Sequence, residues 1–355
     1  MPFLETSIAY RERKMVHDHA EHEQTPEQLE VQFEQLSLLE SEFEDAEAEV
    51  IRKAEAIKGP LYKKRGEFVA KVPHFWSLVF EQCPPEVENF IQPTDSEVFA
   101  ECLETFEVSR FEVDSGSPRS FSLKFGFSEN EWFEDKTLEK KFWYRHTQDW
   151  DGLVSEPVKI NWKKGKDLTG GLTDAAVKLH EARQKTTDRK KEVALPEYKD
   201  LAKKIETASD ASVSFFGLFA FVSGYRWVSA EESAEAEKKD KEALAKIKAG
   251  EKIEEEEDDD DEDPQDYQET EVFPGGDEVA TIIAEDMWPN ALRYYKEHFE
   301  QDGEEFDDEE LSELDVDMDE DDDSEGEEVD IRALVGKGKK DKKDSEPPAK
   351  KQRKA

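Results

Sequence analysis

The strongest constraint on what this chain can fold into is an apolar repeat near its start. Leu29, Leu36, Phe43, Val50 and Ile57 recur every seven residues. A second row, Phe33, Leu39, Ala46, Ala54 and Leu61, is offset from the first by three or four positions each time. Residues three and four apart share a helical face, so the two rows form one stripe. Neither Gly nor Pro occurs from 27 to 58, and the other faces are rich in Glu. Pro60 removes a helical hydrogen bond and predicts a bend at Gly59-Pro60, yet the apolar pattern runs on through Leu61 and Phe68. We read one helix over 27–72, ending before Pro73. At 1.5 Å per residue it is roughly 65–70 Å long. A stripe of that length outruns a small domain. The expected partner is a second copy of the same helix, in the manner of a coiled coil; packing within its own chain is the alternative. Leu29, Leu36, Phe43, Val50, Ile57, Leu61 and Phe68 are the seam residues of that dimer.

Beyond the helix, "VPHFWSLVFEQCPPEVENFIQPTDSEVFAECL" reads as short helices broken at Pro84-Pro85 and at Pro93. Four strand candidates follow, at 103–113, 120–127, 140–146 and 157–163. The first changes apolar parity between Val108 and Phe111, which suggests a bulge. The second places Phe121, Leu123, Phe125 and Phe127 on one face, and the fourth does the same with Val158, Ile160 and Trp162. "DSGSPR" between the first two is a turn signal. No crossover helix separates the strands, so the sheet should be antiparallel, with helices over its apolar face. Residues 172–208 are charged and read as helical or loose. The apolar run 212–228 is too short and too interrupted by Gly217 and Gly224 to span a bilayer comfortably, and reads as buried. Residues 229–271 read as an inserted, mostly disordered loop. Order returns at "DEVATIIAEDMWPNALRYY".

Charge sets the partner class. The chain has 91 acidic and 49 basic residues, a net charge of −42 over 355 residues. Residues 301–330 hold 19 of the acids and no base, and 251–263 hold 11 acids and one Lys. Such runs repel themselves and bury too little apolar area to fold. The field repels free nucleic acid and anionic membranes and draws in cationic proteins. No run of about 18 apolar residues and no signal peptide is visible, which points to a soluble, unsecreted chain. Cys83 and Cys102 read as buried reduced thiols. His17, His19 and His22 lie close together, and read as solvated tail residues before they read as metal ligands.

Motifs for catalysis are missing. Neither GxGxxG nor GxxxxGK[ST], neither GxSxG nor HExxH is present, and no carboxylate pair stands out from so many acids. The expectation is a protein that is not an enzyme and needs no cofactor.

Five stretches then carry a resemblance. "KGPLYKKRGEFVAKVPHFW" (58–76), "FSENEWFEDKTLEKKF" (127–142), "VKINWKKGKDLT" (158–169), "SFFGLF" (214–219) and "EDMWPNALRYY" (285–295) occur in this order. Together they resemble the nucleosome assembly protein family, most closely its SET branch, also called template-activating factor, over roughly residues 27–306. The resemblance implies an α+β fold: a long dimerisation helix, then an "earmuff" domain with a four-stranded antiparallel sheet backed by helices, then a disordered acidic tail. The implied division is a flexible 1–26, the helix at 27–72, the earmuff at 73–300 with the insertion at 229–271, the acidic tail at 301–336 and a basic end at 337–355. It also implies a homodimeric histone chaperone, shielding H3–H4 or the other core-histone pair without ATP. The SET branch adds blocking of histone acetylation and inhibition of a phosphatase, so a regulatory inhibitor in complex with a phosphatase or acetyltransferase is the alternative function. Glu131 stands where the family usually has Pro, and the basic end follows the acid where many relatives stop.

Under this reading a flexible polyanion competes with DNA for histone through many weak, screened contacts. The histone-binding candidates are Glu278, Glu285 and Asp286 around the last helix, with an ordinary solvated face as the alternative. In the tail they are Glu304, Glu305, Asp307, Asp308, Glu309, Glu310, Asp319, Glu320, Asp321, Asp322 and Asp323. Lys163, Lys164 and Lys166 beside Trp162 offer a weak DNA contact or, as the blander reading, a solvated loop. Lys350, Lys351, Arg353 and Lys354 in "PAKKQRK" read as a nuclear localisation signal, with shuttling to the cytoplasm open.

Overall fold

The computed structural model describes residues 26–186, 189–208, 214–249 and 268–301. Its first element is helix α1, Pro26–Val69, 44 residues long. Pro26 opens it, where a missing N–H costs nothing. Pro60 lies inside the helix, which continues through it on an exposed position. Two stripes run along α1. One is turned toward its own domain and includes Leu38, Ser41, Ala48, Ile51, Arg52, Tyr62, Arg65 and Val69, all partly or fully buried. The other is the apolar seam of the sequence reading.

The sheet is antiparallel, in the order β1 (Leu103–Ser109), β2 (Phe121–Phe127), β3 (Thr137–His146), β4 (Asp151–Ser155). Its register aligns Phe106, Phe125 and Leu138 across three strands on the inner face, and Val108, Leu123 and Lys140 beside them. On the outer face the same register aligns Glu107, Lys124 and Glu139, an alternation of charge suited to water. The register shift lies at Leu103/Thr105, and Gly126 sits opposite it. A Cβ on Gly126 would come 2.1 Å from Thr105 Oγ1, so any side chain there would force the Thr105 hydroxyl to move.

Two strand expectations need correction. The segment 103–113 is a strand only to Ser109, so the parity switch at 108–111 is the end of the strand and not a bulge. The segment 157–163 is not a strand of the sheet. It pairs with the preceding loop instead, Glu134 N–H donating to Asn161 O at 2.9 Å and Lys163 N–H to Trp132 O at 2.8 Å. The fourth strand is 151–155, whose Asp-Gly start looks like a turn in the sequence.

Short helices cover the inner face: α2 (Phe75–Glu81), α3 (Pro85–Glu88) and α4 (Pro93–Cys102), with the 3-10 turn Phe215–Phe219 beneath. The core they close is aromatic, with Phe80, Phe121, Phe125, Phe133, Phe142, Phe215 and Phe216 almost wholly buried. Asp95 of α4 is fully buried and accepts from Ser214 Oγ at 2.5 Å and from the Phe215 and Gln92 N–H groups at 2.7 and 2.9 Å. Burial still pushes its carboxyl above the usual value, against those hydrogen bonds. A smaller cluster joins α5 (Leu172–Arg183) and α6 (Pro196–Thr207) through Leu172, Leu179, Tyr198 and Leu201.

The expectation of a mostly disordered 229–271 is also corrected. Residues Ala230–Lys248 form helix α7. Ser229 caps it, its Oγ accepting from Glu232 N–H at 3.1 Å. Ala, Lys and Glu are strong helix formers, and Ser233, Ala236, Asp240, Leu244 and Ile247 make an inward stripe against β3 and α1. Residues 250–267, which hold the acidic run, lie outside the described residues. The chain then forms α8 (Gly276–Ile282), a π-turn at Ile283–Met287 and the last helix, α9 (Ala291–Gln301), which packs on α2.

Candidate functional site

The apolar seam is bare in this single chain. Phe43, Val50, Ile57 and Phe68 are 57, 65, 69 and 62% exposed, and Phe33, Leu36, Leu39 and Leu61 are exposed beside them. The side chain of Leu29 lies outside the described set. A contiguous face of large apolar groups at helical spacing marks an interaction surface.

Where α1 meets the domain, two of the quoted motifs, 58–76 and 285–295, converge. Arg65 donates from Nη1 to Trp288 O at 2.7 Å, and its guanidinium lies 4.2 Å from the Trp288 ring and 4.9 Å from the Tyr62 ring. Trp76 stacks on Trp288 with centroids 5.4 Å apart and planes 12° apart. The joint thus locks the first helix to the segment that starts α9. Sequence reasoning missed Arg65 because four basic residues crowd "KKRGEFVAK". The clue was its place, three after Tyr62 and four before Val69, on the stripe opposite the seam.

The acids near the last helix separate into two kinds. Glu278 is exposed. Glu285 is exposed and paired with Arg110 at 3.0 Å. Asp286 is half-exposed and engaged locally: it accepts from Tyr294 Oη, from Asn290 Nδ2 at 2.7 Å and from Arg293 at 3.5 Å. The Tyr294 hydrogen bond holds the Asp286 carboxyl below the usual range. Burial, then that same contact, pushes the Tyr294 phenol up to about 12. Asp286 therefore organises the start of α9, with its side chain still 43% exposed.

The three lysines are likewise unequal. Lys163 Nζ donates to Asn130 O, and Lys166 pairs with Glu131 at 2.9 Å. Both fasten the 160s loop to the 128–133 loop, which leaves Lys164 as the exposed member of the cluster. Glu131, at the family's Pro position, is accommodated because Asn130 builds the turn: its Oδ1 accepts from Trp132 and Phe133 N–H at 3.0 Å each.

Two buried groups gave no sequence signal of their role. Lys140 sits on the core face of β3, fully buried, and donates to Glu156 O at 2.7 Å and Ala220 O at 2.6 Å. Burial pushes its ammonium well below the usual lysine value. Arg145 grips Glu112 through two nitrogens at 2.9 and 3.0 Å, fastening the β1–β2 connection to β3. Cys83 and Cys102 are free and buried; burial pushes the Cys83 thiol up to about 12, a value for an unreactive sulfur.

Among the described residues, no group of three or more His, Cys, Asp or Glu is placed to hold a metal, and no helix is long and apolar enough to cross a membrane. The histidines at 17, 19 and 22, the tail acids Glu304 to Asp323 and the basic end 350–354 lie outside the described residues.

A long helix with a bare apolar seam, locked to an acidic α+β domain, matches a known family. The family model described as nucleosome assembly protein covers residues 8–298, and the chain belongs to that family. A putative nucleosome assembly protein of Schizosaccharomyces pombe is 34% identical over 147 residues, 38% of this chain and 59% of that protein. Protein SET of Drosophila melanogaster is 30% identical over 148 residues, 40% of this chain and 52% of that protein. In both cases the chain spans little more than half of the relative's length. NAP1-related protein 1 of Arabidopsis thaliana is 26% identical over 293 residues, 80% of this chain and 83% of that protein. Among solved structures, Ccp1 gives a TM-score of 0.45 at 25% identity over 75% of this chain and 95% of that one. The Vps75 histone chaperone gives 0.42 at 20% over 76% and 98%.

Proposed function

We propose that this protein is a nuclear histone chaperone that acts as a homodimer. It binds core histones, H3–H4 or the other core-histone pair, and shields them for nucleosome assembly and disassembly without ATP. The observation that carries the reading is a net charge of −42 on a chain of this family. A cationic, DNA-binding partner meets an anionic surface that competes for its Lys and Arg, and neither side needs a chemical step. Family membership supports the class. The bare seam supports the dimer, because a second α1 offers the same stripe in return.

Within the domain, Glu278 and Glu285 are the folded contacts we assign to histone. The acids from Glu304 to Asp323 follow α9 in the sequence and add a tethered polyanion, whose local concentration at a held histone is high. Lys350, Lys351, Arg353 and Lys354 supply the import signal. Lys164 is the one lysine of its cluster that we keep as a weak DNA contact.

The test is equilibrium binding of each core-histone pair at about 0.15–0.3 M salt, where surface charge is well screened. The full chain is compared with one ending at Asp302. Binding that weakens and persists on truncation supports a folded surface assisted by the tail. Complete loss makes the tail the binder and removes Glu278 and Glu285 from the site. Absence of binding by either chain overturns the chaperone reading and leaves the enzyme inhibitor, which is then assayed on a non-histone substrate.

A further inference from the structure

The contact that holds α7 has an unusual chemistry. His146, at the end of β3, presents Nδ1 to Asp151 of β4 and Nε2 to Asp240 of α7, the latter at 2.5 Å. Its backbone N–H donates to Ser233 Oγ of α7 at 2.9 Å. A neutral imidazole carries one N–H, and an ionised carboxylate only accepts. Two carboxylates on the two ring nitrogens therefore call for the doubly protonated ring. Between them the imidazolium joins three elements, and its side chain is only 23% exposed.

The rest of the α7 contact is thin. Its buried positions are Ser233 and Ala236, with Leu244 and Ile247 half-covered. Small side chains bury little apolar area, so a charge-assisted pair weighs heavily in whether α7 stays down. The other charges near this contact face other partners. Arg226 pairs with Glu232 at 2.6 Å at the start of α7, and Arg145 with Glu112 beside it. Arg119 pairs with Glu47 of α1 at 2.9 Å, and Glu44 of α1 acts on Tyr144. Lys238 and Lys241 pair along the outward face of α7 with Glu242 and Glu237.

We propose that His146 is a protonation-operated latch: as imidazolium it holds helix α7 on the sheet, and as neutral imidazole it lets the helix go. Release bares the end of β3 and the flank of α1 that α7 covers. Burial lowers the ring's affinity for its second proton, but the hydrogen bonds and charges of Asp240 and Asp151 outweigh it, and the net shift is upward from 6.5. A group raised on docking contributes fully below its undocked value and loses that contribution as pH rises through its docked value. The latch is therefore closed in acid and opens toward alkaline pH.

The experiment is amide hydrogen exchange on the full chain from about pH 6 to pH 9, read as protection factors, together with the ring titration of His146 by NMR. Protection across 230–248 is expected to fall by up to about tenfold per pH unit, over a window that opens near 6.5 and closes at the ring's raised value. The β2 amides serve as the internal reference and stay protected. His146→Gln flattens the profile at low protection. Asp240→Asn, on a half-exposed helical position, moves the ring titration downward and narrows the window even if the first variant folds poorly. A flat wild-type profile, a ring titrating at or below 6.5, or an Asp240→Asn ring that titrates as wild type each overturns the latch.

Discussion

The two sides of helix α1 are built from the same run of sequence and meet opposite surroundings. The inward side carries a mixed set, Ser41, Arg52, Tyr62 and Arg65 among Leu38, Ile51 and Val69, and its two arginines reach into the domain. Arg52, for one, donates to Val113 O at 3.2 Å and to Gly116 O at 3.3 Å across 61 and 64 residues of chain. The outward side is simpler and greasier, and is bare. Contact with a domain of irregular shape needs specific polar and aromatic fits, residue by residue. Contact with a second helix needs only a repeating stripe, because the partner surface repeats as well. That is why the seam was the first thing visible in the sequence and the inward side was not.

The comparison is broken most decisively on the outward side. Phe43→Asp with Val50→Asp places two charges in the seam; burying them unpaired costs several kcal/mol each. The dissociation constant of the proposed dimer should rise by at least about 1000-fold by sedimentation, roughly 4 kcal/mol, while near-UV circular dichroism of the domain is kept. An unchanged assembly state would mean the stripe serves some other occupant. On the inward side Trp288→Ala removes the ring that Trp76, Tyr62 and Arg65 share. It should cost about 3–5 kcal/mol in denaturant unfolding, by the usual cost of emptying a buried aromatic site.

A smaller effect is expected at Arg65→Met, which keeps length and loses the charge and the bond to Trp288 O. About 1–3 kcal/mol should be lost in the same assay. The least is expected at Asp286→Asn, where solvent screens a half-open group, at most about 1 kcal/mol. The sign is fixed by linkage: the Asp286 pKa is held below 3.8, so its contribution is present above that value and is lost as pH falls through the lowered one. The gap between wild type and variant should close on acidification, and a gap that widened would show that Asp286 stabilises by some other route.

What the sequence revealed and what it hid follow one physical rule. Periodic apolar patterns were legible: α1 and β2 showed in their spacing, and the last part of β3 in its aromatic run 140–146. Segments held by single contacts were not. The 157–163 stretch alternates like a strand, yet its backbone groups pair with residues 132, 134, 135 and 219 and with no strand of the sheet. Helix α7 lacks a strong apolar stripe and is held by Ser233, Ala236 and the His146 bridge, so its charged sequence carries little helical signal. The acids of the last helix looked alike in sequence, but Tyr294, Asn290 and Arg110 divide them. Burying Lys140 between two carbonyls runs against every compositional expectation for lysine.

The bond from Arg65 to Trp288 closes a loop of 223 residues. On a ribosome adding about 5–20 residues per second, those residues take about 10–45 s to make. For that interval α1 exists while the ring that seats it does not. Both of its sides are then open to neighbours, and the helix can find a sister helix on an adjacent nascent chain before it finds its own domain. For the proposed homodimer, the order of synthesis thus favours assembly between chains early and closure within each chain late.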